Sequence, residues 1–353
     1  MYTQLCSWDN LLDAYRKAAR GKRGGTAVAA FEHKLEDNLC QLQQELTQKT
    51  YAPGQYVSFH IYEPKRRLIS AAPFRDRVTH HALCNVIEPR FERGFIFDSY
   101  ANRVGKGTHR ALDRCQAFAC RNRFCLQLDV EQFFPAIDHV LLKRTLARKI
   151  EDMDVLWLID QIIDSGVGVH GAGLIPRAFP GDGPDDANRP RGLPIGNLSS
   201  QFWANCYLDP LDQFITRGLG CGAYLRYVDD LVLFSDSKTE LTTWRAAIVS
   251  RLAQLRLTVH PGAHARPCAE GIPFLGFQVF ARYRRLKRRK GVSFERALRA
   301  KLAAYAAGDI ALDDATASVA GWINHTRYAN TTGLRKSILS RHWIPKRSNN
   351  VYT

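Results

Sequence analysis

The chain has 353 residues, of which 45% are hydrophobic and 24% are charged, an ordinary composition for a soluble globular protein with a sizeable core. The excess of 50 Lys and Arg over 34 Asp and Glu gives a net charge of +16. Such an excess favours a polyanionic partner such as nucleic acid, although a merely basic soluble protein would show it too.

Several classes of protein are excluded by the same inspection. No run approaches 18 uninterrupted apolar residues, so no membrane span is predicted. The first residues carry neither a basic head nor an apolar core, so no signal peptide is predicted. The nine cysteines are scattered singly, which favours reduced thiols over a disulfide framework. Together these features predict a cytoplasmic protein.

The chain begins with two predicted helices. Ser7 is placed to cap a helix ending near residue 19. A second helix over residues 26–48 follows from apolar residues at helical spacing. The Pro and Gly of residues 51–54 then lead into two extended runs over residues 61–70, which are joined by a basic turn. On pattern alone, such a charge run is a solvated hairpin tip.

A helix is predicted from Phe74 to about residue 86, and a second glycine-rich turn precedes the next helix. Gly105 and Gly107 flank Lys106 there, and Thr108 is placed to cap the helix that follows. A phosphate cradle and a structural turn both fit this pattern.

A short apolar strand over residues 124–129 ends in Asp129. The aromatic pair Phe133 and Phe134 follows, and on an extended backbone the two rings face opposite ways. Two helices are predicted over residues 139–165. The Gly- and Pro-rich residues 166–194 form a loop that is long for a compact domain, so a nucleic-acid contact, a partner contact and disorder all remain open for it.

Asp229 and Asp230 lie between two runs of strand-forming residues, which predicts a hairpin with the acidic pair at or near its tip. If a sheet brings Asp129 beside Asp229, two carboxylates about 4 Å apart repel by about 4 kcal/mol at an effective dielectric near 20. Mg²⁺ is the hard cation that carboxylates collect around phosphates. Two such ions clamp the attacking and leaving oxygens of a phosphoryl transfer. The sequence therefore predicts nucleotidyl transfer.

The remaining chain is predicted to be a helix over residues 239–255, a hairpin over 273–278, a strip with seven basic residues among nine over 282–290, and short C-terminal helices. A solvated linker is the usual interpretation of a basic strip. Between a catalytic sheet and a helical lobe, a strip that follows phosphates is favoured.

Two motifs resemble those of the reverse transcriptases. Tyr227-Val-Asp-Asp230 is similar to their polymerase signature, and residues 128–138 are similar to their first catalytic-aspartate motif. The resemblance implies that Asp129 and Asp229 are the principal ligands of two Mg²⁺ ions, with support from Asp230 and from the backbone of Val130. It also implies RNA-directed DNA polymerase activity.

The resemblance extends to the nucleotide pocket. It implies that Lys65 and Arg67 hold the incoming triphosphate and that Phe134 is the steric gate against a ribose 2′-hydroxyl; the residues alone do not choose between the two rings. Ile195 and Gly196 would line the pocket, where most of the family has Gln-Gly. This variant resembles the reverse transcriptases of diversity-generating retroelements, and an apolar wall that discriminates by shape alone, worth about 1–3 kcal/mol, predicts low fidelity. An Ile that packs for stability, with ordinary fidelity, is the alternative.

The resemblance further implies a primer grip and a set of primer or template contacts. These residues are Phe274, Leu275, Gly276, Gln201, Arg284, Arg285 and Lys287.

The fold implied is a right-hand polymerase of the α/β class, with fingers, a palm that carries an antiparallel catalytic sheet, and a short helical thumb. The expected domains are N-terminal helices and fingers over residues 1–115, a palm over 116–281 with the loop 166–194 directed toward the fingers, and a basic linker and thumb over 282–353.

The implied partners are a structured template RNA, deoxynucleotides, the cDNA product and a small basic accessory variability protein, which the resemblance implies to be oligomeric. Two alternatives remain. One is a retron- or group II intron-type reverse transcriptase with another RNA, and the other is a non-catalytic RNA-binding scaffold on a polymerase fold.

Overall fold

The structure is a computed structural model that describes residues 1–62, 66–170, 177–183 and 186–345. Within these ranges the helices are α1 (Tyr2–Leu5), α2 (Trp8–Ala19), α3 (Thr26–His33), α4 (Leu35–Thr47), α5 (Phe74–Glu92), α6 (Thr108–Arg121), α7 (Phe133–Ala136), α8 (His139–Ala147), α9 (Met153–Asp164), α10 (Leu198–Gln213), α11 (Lys238–Gln254), α12 (Arg288–Ala307), α13 (Leu312–Thr326) and α14 (Thr332–Ser340). The strands are β1 (Val57–Ile61), β2 (Arg67–Ala71), β3 (Phe124–Asp129), β4 (Tyr224–Tyr227), β5 (Asp230–Ser235), β6 (Arg266–Pro267), β7 (Ile272–Phe274), β8 (Phe277–Val279) and β9 (Arg284–Leu286).

The central feature is a four-stranded sheet in the order β4-β5-β3-β6, antiparallel throughout. β3 and β5 occupy its middle, and the inward side chains of both strands are buried, as expected of a sheet covered on two faces. One hydrophobic cluster joins this sheet to the N-terminal helices and to α8–α10, while a second joins its other face to α6 and to the sheet β7-β8-β9. The mixed α/β class and the antiparallel sheet that were predicted are confirmed.

The N-terminal helices pack around α5. Ser7 caps α2 by accepting a hydrogen bond from the backbone N–H of Asn10, as predicted. The single helix predicted over residues 26–48 is wrong, because the chain breaks at Lys34, where φ is −128° and ψ is 50°, and continues as α4. On either side of the break, α3 buries Val28 and Phe31, and α4 buries Leu39, Leu42 and Leu46.

α6 connects the central sheet to the C-terminal helices. Thr108 does not cap it with its side chain, contrary to the prediction; its hydroxyl lies 3.0 Å from the hydroxyl of Tyr227. In the first two turns of α6, the ring of His109 stacks on Tyr328 with centroids 3.5 Å apart, and the carboxylate of Asp113 binds Arg284 at 2.6 Å. One helix thus contacts both the hairpin that carries the acidic pair and the C-terminal lobe.

The described part of the long loop 166–194 packs against the end of α11 and the segment after β3. Arg256 forms an ion pair with Asp182 and lies over the ring of Phe179, and Arg177 binds Glu131 at 2.6 Å. This part of the loop is therefore tied to the sheet by charge pairs. Among the helices that the structure describes, none combines the length and the apolar character needed to cross a membrane.

Candidate active site

Asp129, Asp229 and Asp230 lie together at one end of the central sheet. β3 ends at Asp129 and β5 begins at Asp230, and these two residues are direct partners in the antiparallel register. Asp229 lies in the turn before β5, and its carbonyl oxygen accepts a hydrogen bond from the backbone N–H of Val130 at 3.4 Å. Because β3 pairs with one strand of the hairpin, carboxylates that are distant in sequence meet at one edge.

The turn that holds Asp229 has an unusual backbone. Tyr227 pairs with Asp230, so the turn consists of Val228 and Asp229 alone. Val228 has a φ of +56°, which β-branched residues rarely adopt. Such a conformation costs about 1–3 kcal/mol and persists only where the surrounding structure imposes it.

A buried polar network imposes it here. The side chain of Arg226 is 1% exposed, and its Nη1 donates to the carbonyl oxygen of Val228 at 3.0 Å and to Oδ1 of Asn205 at 3.1 Å. Its Nε and Nη2 donate to the fully buried carboxylate of Asp212 at 2.7 to 3.0 Å, and the hydroxyl of Tyr224 donates to the same group at 2.7 Å. Sequence reasoning missed this network, because Asp212 belongs to no motif and no local pattern indicates that Asn205 bonds to Arg226.

The electrostatic environment of the acidic cluster favours a cation. Burial raises the pKa of Asp229 above its ordinary value of 3.8, and the carboxylate of Asp129 raises it further, while Arg67 and Arg226 oppose the rise. The side chain of Asp129 is 50% exposed, and Nε2 of His260 lies 3.7 Å from its Oδ2. A cation placed between the two carboxylates would relieve their repulsion.

The donor set fits a divalent metal ion that shares its ligands with a substrate. Across the parts of the chain that the structure describes, no three His, Cys, Asp or Glu side chains are grouped closely enough to hold an ion by themselves. Mg²⁺ is usually bound through one or two carboxylates, with waters and substrate phosphates completing its octahedron. Asp129 and Asp229 supply such a pair of hard oxygen donors, and the backbone carbonyl of Val130 adjoins them in sequence.

One residue at the end of the predicted basic turn, Arg67, lies near this cluster. Arg67 begins β2, and its guanidinium is close enough to Asp229 to lower the pKa of that carboxyl. Lys65, which was predicted to hold the triphosphate with Arg67, lies outside the described residues. A cation near the acidic cluster is suited to a ligand that carries both phosphates and a metal ion.

The segment Ile195–Asn197 is bound edge-on to β2. The carbonyl of Ile195 accepts from the backbone N–H of Ser70 at 2.8 Å, and the side chain of Asn197 joins the carbonyl of Ser70 to the N–H of Ala72. Gly196 has a φ of +118°, and a Cβ there would lie 2.9 Å from Cγ2 of Ile69. Both the backbone conformation and the space therefore require glycine at position 196.

The two aromatic rings after Asp129 differ in burial. Residues 133–136 form the short helix α7 rather than an extended strand, following Gln132 at a φ of +45°. Phe133 is 2% exposed and belongs to the core, while Phe134 is half-buried and packs at its margin. Only Phe134 therefore has a face free to meet a ligand.

The residues predicted to contact primer or template have different surroundings. Phe274 is buried in the second cluster, whereas Leu275 and Gly276 form the β7–β8 turn with φ values of +46° and +89°. Arg284 is 10% exposed and bound to Asp113. Arg285 lies over aromatic rings of its own sheet.

Lys287 and Gln201 lie in two different places. Burial lowers the pKa of Lys287, and the nearby carboxylate of Asp230 opposes that change. The backbone N–H of Lys287 donates to the carbonyl of Gly276 at 3.1 Å, which joins it to the β7–β8 turn. Gln201 lines a separate basic cavity between α2, α5 and α10.

Comparison with known proteins bears on the whole arrangement. A profile of the family described as reverse transcriptase (RNA-dependent DNA polymerase) matches residues 62–279. Protein YkfC of Escherichia coli (strain K12) is 26% identical over 201 residues, which are 54% of this chain and 49% of that protein. The group II intron-encoded protein LtrA of Lactococcus lactis subsp. cremoris is 24% identical over 214 residues, 60% of this chain and 33% of that protein.

Among solved structures, apo telomerase from Candida tropicalis, truncated from its C-terminal domain, superposes with a TM-score of 0.48 and 12% identity, over 69% of this chain and 59% of that one. The chain spans half or less of the length of the two curated relatives named above. The family profile covers more than half of the chain and includes all three aspartates of the cluster. The chain therefore belongs to the reverse transcriptase (RNA-dependent DNA polymerase) family.

Proposed function

We propose that this protein catalyses RNA-templated synthesis of DNA from deoxynucleotides. The observation that carries the proposal is the register of β3 and β5, which sets Asp129 opposite Asp230 and beside Asp229. Membership of the reverse transcriptase family supports the same conclusion. A primer 3′-hydroxyl would attack the α-phosphate of the nucleotide, and pyrophosphate would leave.

Asp129 and Asp229 would hold two Mg²⁺ ions, with Asp230 and the backbone of Val130 in support. When bound, such ions stabilise the charge that develops on the attacking and leaving oxygens. The chain itself positions the carboxylates. The strained turn and the bond from Arg226 to the carbonyl of Val228 fix the direction of Asp229, so little reorganisation is needed when a nucleotide arrives.

The remaining contacts of the nucleotide are assigned by their surroundings. Arg67, together with Lys65, would bind the triphosphate, since its guanidinium already lies near Asp229. Phe134 would exclude a ribose 2′-hydroxyl, because it is the ring of the aromatic pair that is not enclosed in the core. Ile195 and Gly196 would form the wall of the pocket against β2.

The expected division into fingers over residues 1–115, palm over 116–281, and linker and thumb over 282–353 is retained as part of the proposal. The boundary at 281 passes through the second sheet, with β7 and β8 on the palm side and β9 followed by α12–α14 on the other. Leu275 and Gly276 would contact the primer strand through their turn, and Lys287 and Arg285 its phosphates. Phe274 and Arg284 would support that surface from within.

Primer extension on a defined RNA template tests the activity. Asp229→Asn is expected to lower the rate by about 100-fold or more, because several kcal/mol of metal-dependent stabilisation is lost, while RNA binding is retained. Asp236→Asn is the matched control: it lies just beyond the opposite end of β5, and its Oδ1, which accepts from the backbone N–H of Arg123 at 2.8 Å, survives the change. Equal activity of the two variants would favour the non-catalytic scaffold.

We propose that the protein is the reverse transcriptase of a diversity-generating retroelement. In this role it would copy a template-repeat RNA into mutated cDNA. It would act in the cytoplasm together with a basic, oligomeric accessory protein. Ile195 supports this role, because an apolar wall cannot hydrogen-bond to the nucleotide or the template base. Sequencing of cDNA made from a defined RNA tests it. Errors concentrated at template adenines are expected.

A second candidate is a group II intron- or retron-type enzyme with another RNA. The similarity to the group II intron-encoded protein LtrA favours it. Faithful copying of adenines in the same sequencing experiment would select this candidate. The polymerase proposal itself would stand in that case, because primer extension measures it separately.

A further inference from the structure

Residues 190–193, at the end of the long loop, are hydrogen-bonded to α7 and to the residue that follows it. The backbone N–H of Leu193 donates to the carbonyl of Phe134 at 2.9 Å. Two residues farther on, the carbonyl of Ile195 accepts from the N–H of Ser70 in β2. The ring proposed as the steric gate and the residue proposed as the pocket wall are therefore joined by one short run of backbone. A shift of residues 190–193 would move the gate relative to the wall.

Two histidine rings hold the carbonyl groups of this run. Nε2 of His139 lies 2.8 Å from the carbonyl oxygen of Gly192, and Nε2 of His170 lies 2.8 Å from that of Leu193. A carbonyl oxygen can only accept, so Nε2 carries the proton in both rings. Burial lowers the pKa of both histidines, and the bonds to the carbonyls oppose that change. At neutral pH each ring is therefore neutral, and each uses its one donor on this run of backbone.

Gly192 allows the ring of His170 to lie directly on the backbone. Its φ is +100°, and a Cβ there would lie 2.7 Å from Cδ2 of His170 and 3.3 Å from the carbonyl oxygen of Pro135. Both the conformation and the space therefore favour glycine at this position. The N–H of Gly192 donates to the carbonyl of Ile137 at 2.8 Å. The imidazole ring is thus packed against the same backbone that is bonded to the gate segment.

A buried group of charges fixes the start of this run. Asp138 is 1% exposed, and its Oδ2 lies 3.2 Å from Nε of Arg256 and 3.6 Å from Nε of Arg189. Its Oδ1 caps α8 by accepting from the backbone N–H of Leu141 at 2.9 Å. Arg191 is the partner of Asp138 in an antiparallel bridge. The start of the run is therefore anchored by charge, and the two histidines hold the end that lies next to the gate.

We propose that His170 is a positioning residue that, together with His139, sets the selectivity of the enzyme for deoxynucleotides over ribonucleotides. The proposal rests on the polymerase function and on the gate role of Phe134 proposed above. His170 acts on the nucleotide only through the backbone: it holds the carbonyl of Leu193, and the N–H of Leu193 holds Phe134. Without this bond the gate ring yields more easily to a ribose 2′-hydroxyl, because a selective pocket depends on the residues that support it.

Hydrogen–deuterium exchange and nucleotide incorporation test the proposal together. In His170→Ala, the amides of Gly192 and Leu193 should exchange about three- to tenfold faster, the range that one net hydrogen bond supplies, while the amides of β3 and β5 stay protected. The preference for deoxynucleotides, measured as a ratio of kcat/KM values in primer extension, should fall by about the same factor. His170→Gln can place an amide donor near the position of Nε2, so it should restore most of both.

His264→Ala is the matched control, because a ring nitrogen of His264 also lies 2.8 Å from a backbone carbonyl, that of Gly262 in its own turn. It should change neither measurement. Unchanged exchange in His170→Ala would overturn the proposal. Equal losses with deoxynucleotides and ribonucleotides would overturn it too, because a merely structural residue lowers both rates and leaves their ratio unchanged. Wild-type protein that extends no primer would instead refute the polymerase function and this selectivity with it, a result that exchange does not imitate.

Discussion

The ion pair between Arg226 and Asp212 offers the sharpest test of how the acidic turn is held. Both side chains are buried, at 1% and 0% exposure, and three hydrogen bonds of 2.7 to 3.0 Å join them. Asp212→Asn keeps the shape of the side chain but leaves the guanidinium without its counter-charge. Removing one partner of a buried ion pair costs about 3–5 kcal/mol. We expect a loss of that size in the free energy of unfolding.

Urea unfolding, followed by the fluorescence of the six tryptophans, of which Trp203 is buried, measures this loss. The variants are Asp212→Asn, Arg226→Met and the double variant Asp212→Asn/Arg226→Met. The double variant should lose less than the sum of the two single variants, because no unpaired charge remains in it. A loss below about 1 kcal/mol in Asp212→Asn would refute the reasoning. A loss in the double variant equal to the sum of the two single losses would also refute it.

The same series separates stability from positioning. Arg226 also holds the carbonyl of Val228, so its loss should release the strained turn that carries Asp229. Primer extension should therefore fall in Arg226→Met even at a temperature where circular dichroism shows the variant to be folded. Wild-type activity in a folded Arg226→Met protein would mean that the turn holds its own conformation.

Further predictions concern the site residues. With a chelator present, Asp229→Asn should be more stable than wild type at neutral pH, as measured by urea unfolding. The pKa of Asp229 is raised in the folded protein, so the wild type loses stability as the pH rises from 3.8 through that pKa. The advantage of the variant should therefore vanish below pH 3.8, and its persistence there would contradict this. Gly196→Ala should lower the free energy of unfolding by about 1–3 kcal/mol, because the φ of +118° and the contact with Ile69 exclude a Cβ. An unchanged melting temperature would disprove this strain. Phe134→Ala should raise ribonucleotide incorporation with little loss of stability. Phe133→Ala should lower the free energy of unfolding, measured in urea, by about 3–5 kcal/mol. The reverse pattern would exchange the roles of the two rings.

The acidic cluster was predictable because its geometry follows from local patterns. Two short apolar runs, each with an aspartate at one end, specify strands, and an antiparallel sheet sets Asp129 opposite Asp230. The helix ending at residue 19, the pair over residues 139–165 and the hairpin over 273–278 followed in the same way from caps and periodicity. Local periodicity was sufficient in each of these elements.

Contacts between distant segments were not predictable. Asp212 lies on a helix outside every motif, and only the packing of α10 against the sheet brings it to Arg226. Thr108 is of a residue type that caps helices, yet Gly107 is the N-cap of α6 and the hydroxyl of Thr108 meets Tyr227 instead. The break at Lys34 lies inside a continuous apolar stripe, so tertiary packing overrides the helical period there.

The first two turns of α6 join two parts of the molecule. Thr108, its first residue, touches Tyr227 beside the strained turn, while His109 and Asp113 are bound to Tyr328 and Arg284 in the C-terminal lobe. These three residues lie within six positions at one end of the 14-residue helix. The aspartate hairpin and the C-terminal lobe are therefore anchored to the same short stretch of chain, so the packing of each depends on the same turns of α6.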